Sequence, residues 1–327
     1  MRKLVLGIDI GATKILYGLL DWEGQILAQE RAPTNSGQEA PGDTLDRIAR
    51  QAGQMLSSWG GKVSDLYGIA VACPGPISCP EGVVLDSPNL GWRNINLGQE
   101  LQTRFHREVL VGKDTDVAAL GEFHFGQGEE VRHLLYMTVS TGIGGGIISD
   151  GRLYRGIRGG AGEFGHMVIE AGGRRCRCGR RGCLEALASG TAIAEQAREL
   201  LERGEGNHLS DYLLPGQPLT AREVGTAARD GERAARQIID RAAVYLATGI
   251  ANLVNIFNPG QVVLGGGMLL GLEDLLVEPI FRMVRAGVFP LHLQGLGLET
   301  TRLGNEIGLY GCLAMVRYGT MFEPGNK

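Results

Sequence analysis

The chain has 327 residues, of which 43% are hydrophobic and 21% charged, with a formal net charge of −4. That is enough for two domains with buried cores, and it lacks the basic excess that would draw nucleic acid or an anionic membrane, so a small-molecule partner is expected. The 52 glycines, more than twice the roughly 7% of ordinary proteins, fall in short runs that specify backbone turns and show no collagen-like period.

The opening "MRKLVLGIDI" is basic and then apolar. Asp9 and Lys14 interrupt the run, and no small-residue cleavage pattern follows, so a signal peptide is not expected. No apolar stretch reaches the roughly 18 residues of a membrane helix. A cytoplasmic protein is expected, in which the scattered Cys73, Cys79 and Cys312 are small buried hydrophobes.

"KLVLGIDI" and "KILYGLL", joined through "GAT", read as a hairpin, and "ILAQER" as a third strand. "PTNSGQEAPGD" is a run of turn-formers leading into "TLDRIARQAGQMLSSW", whose apolar positions have helical spacing. "LYGIAVACPGP" reads as a buried strand ending in a rigid turn. The hairpin pattern recurs in "HLLYMTVSTGIGGGIISDGRLYRG", which predicts two similar α/β domains. Later, "GERAARQIIDRAAVYLATGIANLVNIF" is a long helix stopped by "NPG", "QVVLGGG" is a strand running into a glycine turn, and "NEIGLYGCLAMVRYG" is the last helix.

"DIGATK" (Asp9 to Lys14) and "STGIGGG" (Ser140 to Gly146) each join two apolar strands. Glycine lets a backbone approach a phosphate closely, and the turn supplies N–H and hydroxyl donors. Asp9 can hold Mg²⁺, usually through water. Each turn alone is also ordinary structural punctuation, and neither has the Walker or dinucleotide-binding spacing. Their repetition is the informative feature.

His166, Cys176, Cys178 and Cys183 form H-x₉-C-x-C-x₄-C. Three thiolates and an imidazole at short loop spacing suit tetrahedral Zn²⁺. Three cysteines cannot all pair as disulfides, and a reducing compartment disfavours disulfides anyway. Four protein ligands would saturate the ion, which is therefore structural and pins a loop flanked by Glu163 and Glu185. The nearby Arg174, Arg175, Arg177, Arg180 and Arg181 read as a solvated loop face. "VGKDTDVAALGE" places Asp114 and Asp116 where a strand gives way to a helix. There aspartate is either a helix cap or a carboxylate positioned for proton transfer.

"GIDIGATK", "DTDVAALGE", "STGIGGGI", "GGAGEFGH", the C-x-C-x₄-C run with "GCLE", and "VVLGGG" occur in the order seen in the ROK family of bacterial sugar kinases, which the chain resembles over nearly its whole length. The resemblance implies an actin/hexokinase-like (ribonuclease H-like) duplicated α/β fold with an interdomain cleft. The smaller domain would comprise residues 1–114 and 303–327, and the larger one, with the zinc loop, residues 115–302. It implies phosphorylation of a hexose, most simply glucose at its C6 hydroxyl, with Asp114 as the catalytic base. It places Asp9, Gly11, Ala12, Thr13, Lys14, Thr141, Gly142 and Gly144 at the phosphates of Mg²⁺·ATP, and Gly265 and Gly266 near the adenosine. Asn89, Glu163, His166 and Glu185 would bind sugar hydroxyls. A homodimer or homotetramer is also implied.

"KDTD" stands where the family commonly has "NDAN". Lys113 therefore replaces an asparagine that contacts sugar, and lysine donates without accepting. Either Lys113 pairs with Asp116 and turns away, or the acceptor is not plain glucose; fructose, an N-acetylhexosamine and a cyclitol stay open, as does ADP or polyphosphate as donor. The family also contains sugar-responsive repressors with an added DNA-binding domain. A first strand starting near Lys3 leaves no room for one, so a repressor is not expected. A silent sugar binder is disfavoured by the two phosphate turns and Asp114.

Overall fold

The computed structural model describes residues 3–78, 81–128, 131–206, 208–213 and 218–319; Cys79 lies outside them. Strands β1 (Leu4–Ile10), β2 (Lys14–Asp21) and β3 (Ile26–Pro33) form an antiparallel meander, followed by helix α1 (Pro41–Trp59) and strand β4 (Leu66–Cys73). Three short strands, β5 (Ile77–Ser78), β6 (Val83–Ser87) and β7 (Trp92–Asn96), make a small separate sheet before α2 (Leu97–Phe105), β8 (Leu110–Lys113) and α3 (Asp114–Phe125). The pattern then repeats with β9 (Leu134–Val139), β10 (Ile143–Ser149) and β11 (Arg152–Leu153). Helices α4 (Leu184–Ala188), α5 (Gly190–Glu202), α6 (Ala221–Arg229) and α7 (Arg233–Phe257) follow, then β12 (Gln261–Gly265), α8 (Gly267–Gly271), α9 (Glu273–Gly287), β13 (Gly297–Thr300) and α10 (Ile307–Tyr318).

The first five-stranded sheet runs β3-β2-β1-β4-β8 and the second β11-β10-β9-β12-β13. Counted along the chain within each sheet, the two orders are the same, which is the duplication expected from the repeated hairpin. The chain also divides into two compact units: Met1–Arg132 with Gly146–Gly162 and Arg302–Lys327, and His133–Gly145 with Glu163–Thr301. Among the described residues, no helix is long and apolar enough to cross a membrane.

In the first unit the two-residue period of β1 decides which helix packs on which face. Leu4, Leu6, Ile8 and Ile10 join Leu45, Ile48, Met55 and Leu56 of α1 in one core, whereas Val5 joins Leu309 and Leu313 of α10 on the opposite face. Such a strand, buried on both sides, reads as a continuous apolar run, as "LVLGIDI" does. Glycine sets how close α10 comes. A Cβ on Gly18 would lie 2.5 Å from Leu309 Cδ1, and one on Gly311 would lie 1.9 Å from the Val117 carbonyl oxygen of α3.

The second unit is dominated by α7, whose inward face is small and aliphatic (Ala235, Ile239, Ala243, Leu246, Ile250, Val254). It ends where Asn258 turns left-handed, at φ 44°, a conformation asparagine tolerates better than most residues. α1 starts at Pro41, whose missing N–H costs nothing in the first turn.

Gly311→Ala should destabilise the protein by about 1–3 kcal/mol, because the methyl group meets rigid backbone. Gly53→Ala, mid-helix in α1 with nothing within 4 Å of the added carbon, should stabilise it by about 0.5–1 kcal/mol. Denaturant titration of the two variants checks both signs.

Candidate functional site

The hairpin turn between β1 and β2 is closed by Gly11, whose N–H donates to the Lys14 carbonyl at 2.9 Å; a Cβ on Gly11 would sit 2.9 Å from that same oxygen. Asp9, the penultimate residue of β1, is half-buried. Desolvation, reinforced by the Asp114 carboxylate and opposed by Lys14, pushes it up to about 7. Gly308, at the start of α10, leaves room for this group, since a Cβ there would lie 2.5 Å from Asp9 Oδ2. A buried carboxylate whose proton affinity is raised by a neighbouring carboxylate marks a place short of positive charge, and all-oxygen donors of this kind fit a hard cation such as Mg²⁺.

Asp114 opens α3 with Lys113 in the cap position, and no side chain caps the helix. The Asp114 carboxylate is half-buried and accepts the Thr115 N–H at 2.8 Å through Oδ1, which fixes its orientation. Asp116, two residues further along α3 and buried, lies 3.3 Å from Arg155 Nε, an ion pair between α3 and the segment after β11. Lys113 is 7% exposed and donates to the Ala161 carbonyl of that same segment at 3.3 Å. Asn89 is exposed on the turn between β6 and β7. Neither Arg155 nor Ala161 was singled out in the sequence, where they read as a glycine-rich loop far from β8.

The second glycine turn belongs to the other unit. The Ser140 N–H donates to the Gly142 carbonyl at 2.8 Å, and the turn is tied to the start of α5, where Gly190 N–H donates to Ser140 and Thr191 Oγ1 to Thr141. Glu185 Oε2 accepts the Ile143 N–H at 2.9 Å and would lie 2.5 Å from a Cβ on Gly142. Thr141 is exposed, and Gly144 half-exposed in β10. Gly265 and Gly266 have a packing reason of their own: a Cβ on Gly265 would meet Tyr136 Oη at 2.5 Å, and one on Gly266 (φ 96°) the Val139 carbonyl at 2.5 Å.

His166, Cys176, Cys178 and Cys183 converge, with their ligand atoms all within 4.8 Å of one another. Cys178 and Cys183 sulfurs are 3.6 Å apart, and Cys176 Sγ is 3.8 Å from His166 Nδ1. Tetrahedral ligands at the Zn–S distance would be separated by about 3.8 Å. Hydrogen bonds from Arg180 pull Cys178 down to about 6, whereas burial and the neighbouring thiols push Cys183 up to about 12. Three crowded thiols cannot all ionise unless a cation joins them. The donor set therefore fits a soft tetrahedral ion.

With Nδ1 turned to the sulfurs, His166 presents Nε2 toward Glu163 Oε2 at 4.0 Å. The loop is braced onto α5 by Arg174, which meets Glu199 through two bonds of 2.8 and 2.5 Å, and onto α7 by Tyr245 Oη, which donates to Glu170 at 3.1 Å. Arg177 pairs with Glu195, and Arg181 donates to the Gly173 carbonyl. The arginines thus serve the loop. The Leu184 N–H donates to the Met167 carbonyl, placing the Glu185 segment directly beside that of Glu163 and His166.

A ROK family model matches residues 5–318. The chain belongs to the ROK family. Among ROK proteins it is similar to the glucokinase of Halalkalibacterium halodurans, at 37% identity over 98% of both chains. It is also similar to the xylose repressor of Caldicellulosiruptor bescii, at 32% identity over 95% of this chain and 77% of the repressor. The structure of a ROK family glucokinase from Streptomyces griseus, solved with glucose and AMPPNP, superposes with a TM-score of 0.81 at 30% identity, covering 97% of this chain and all of that one. The fold is the actin/hexokinase-like α/β fold of ROK hexokinases.

Co²⁺ titrated into metal-stripped protein should bind once per chain with the intense visible bands of a tetrahedral thiolate site, and a Cys176→Ala, Cys183→Ala double variant should show none. Absence of those bands in the native chain would reject the metal assignment.

Proposed function

We propose that this ROK chain is a sugar kinase that transfers the γ-phosphoryl group of ATP to the C6 hydroxyl of a hexose, with glucose the first candidate. The observation that carries the reading is the oriented, half-buried Asp114 carboxylate at the β8–α3 junction, in electrostatic contact with Asp9 beside the first glycine turn. A sugar hydroxyl is a poor nucleophile. A fixed carboxylate that accepts its proton as the P–O bond forms is the main chemical help a protein can give, since the rest of phosphoryl transfer is positioning and charge stabilisation.

In this mechanism Asp114 receives the C6 hydroxyl proton. The amides of Ala12 and Thr13, and those around Thr141 and Gly142, bind the donor's phosphates, while Lys14 offsets their charge. Asp9 would hold the Mg²⁺ that accompanies ATP, and that ion supplies neutralisation of phosphate charge. Asn89, Glu163, Glu185 and His166, the last through Nε2, are assigned to sugar hydroxyls, and Gly265 and Gly266 to the adenosine side. The soft ion is assigned as Zn²⁺ held by His166, Cys176, Cys178 and Cys183. With all four positions filled by protein, its contribution is to fix the His166 ring and the loop.

A second acceptor class is favoured by one observation. Lys113 is buried with its ammonium on the Ala161 carbonyl, and a lysine offers a sugar only donors where the family's asparagine offers both a donor and an acceptor. An ADP-release assay over hexoses, amino sugars and cyclitols decides between them.

Asp114→Asn should lower kcat by at least about 100-fold while leaving AMPPNP affinity unchanged; near-normal turnover would reject the assignment. Protein stripped of zinc by a chelator should lose sugar binding and show faster amide exchange across residues 166–183, yet retain AMPPNP binding. Unchanged sugar affinity in verified zinc-free protein would reject the scaffold role.

A further inference from the structure

The run "PTNSGQEA" between β3 and α1 has no role in the mechanism above, yet it is fastened to the first glycine turn at three successive carbonyls. Thr34 Oγ1 donates to Gly11 at 2.7 Å, Ser36 Oγ to Ala12 at 2.6 Å, and the Thr34 N–H to Thr13 at 3.1 Å. Thr34 is 1% exposed. The segment is held in turn by Arg47 of α1, whose NH1 and NH2 donate to the Pro33 and Thr34 carbonyls, both at 2.8 Å, and whose Nε donates to Glu39 at 3.1 Å. Glu39 also accepts from Asn35 Nδ2 at 2.9 Å. Asn35 sits at φ 56°, a conformation asparagine tolerates, so the segment doubles back beneath the turn.

The geometry of the peptide group gives this fastening a consequence. In a trans peptide the C=O and the following N–H point in opposite directions. Drawing the Gly11, Ala12 and Thr13 carbonyls to one side therefore turns the N–H groups of Ala12, Thr13 and Lys14 to the other. A row of like-oriented amides is a concave anion site. The second glycine turn shows the same device built from other residues, with Gly190 N–H on the Ser140 carbonyl and Thr191 Oγ1 on the Thr141 carbonyl.

We infer that residues 34–36 form a strap, clamped by Arg47, that pre-orients the amides of the first turn toward the phosphates of the donor, making Thr34, Ser36 and Arg47 positioning residues for phosphoryl transfer. The inference rests on the kinase reading above. Every described hydrogen bond from the strap to the turn is to a carbonyl, so its loss acts on the donor side.

The test is a set of variants measured as full-length, metal-replete protein. Thr34→Val with Ser36→Ala should raise the ATP KM and the AMPPNP Kd by about tenfold, the effect of losing two ordinary hydrogen bonds, with the sugar KM unchanged. Thr34→Ser in place of valine, with Ser36→Ala kept, returns one of the two hydrogen bonds and should bring ATP KM back by about threefold. Arg47→Lys, which keeps the charge but loses the fork, should behave like the double variant. In ligand-free protein the double variant should exchange the amides of residues 11–14 faster than the native chain, with those of the second glycine turn, residues 140–144, unchanged. Native-like ATP KM and native-like exchange at residues 11–14 in the double variant would overturn the strap. A native chain that fails to bind Mg²⁺·AMPPNP would overturn the kinase reading itself, and the donor-positioning role with it.

Discussion

An amide can offer its N–H to a ligand only if its carbonyl, fixed on the opposite side of the same plane, has a partner elsewhere. Both glycine turns meet that constraint, and much of the surrounding structure follows from it. The first turn is served by hydroxyls from the segment after β3, the second by the start of α5. Two unrelated stretches of chain thus solve the same problem in two copies of one sheet topology. Glycine at 11 and 142 is needed because an added carbon would crowd Lys14 in one case and Glu185 in the other.

Around the second turn the same logic joins two roles. Glu185 bonds the Ile143 amide while its segment runs beside that of His166, whose ring faces the cysteine cluster with one nitrogen and Glu163 with the other. A single soft ion would fix the ring plane, hence the direction of Nε2 and the path of the loop carrying the carboxylates. The braces from Glu199 and Tyr245 hold the loop's outer limb independently. The ion's influence is therefore concentrated at the histidine and its neighbours.

The sequence made the elements legible where pattern and length agree. The hairpins, the long α7, its stop at "NPG" and the closing helix all appear within a few residues of their expected bounds, because each rests on local periodicity and turn chemistry. The cysteine cluster was legible from spacing, and the structure brings its four members together. The small β5–β6–β7 sheet was not, since its strands are of two to five residues and carry almost no periodicity. Contacts across long separations were equally hidden. Glu185 reaches Ile143 over 42 positions and Ser36 reaches Ala12 over 24, and no local pattern encodes either. The ion pair of Asp116 with Arg155 was hidden for the same reason.

Helix α10 covers the face of the first sheet that carries Val5, Leu16 and Leu20, although it is the last helix among the described residues. A nascent chain emerging from the ribosome would therefore expose that apolar face throughout synthesis of residues 134–300, because the helix that shields it has not yet been made. The second unit is complete before the first can close. Premature termination shortly before residue 307 would leave an intact second unit attached to an aggregation-prone sheet, which is the kind of species that chaperones retain.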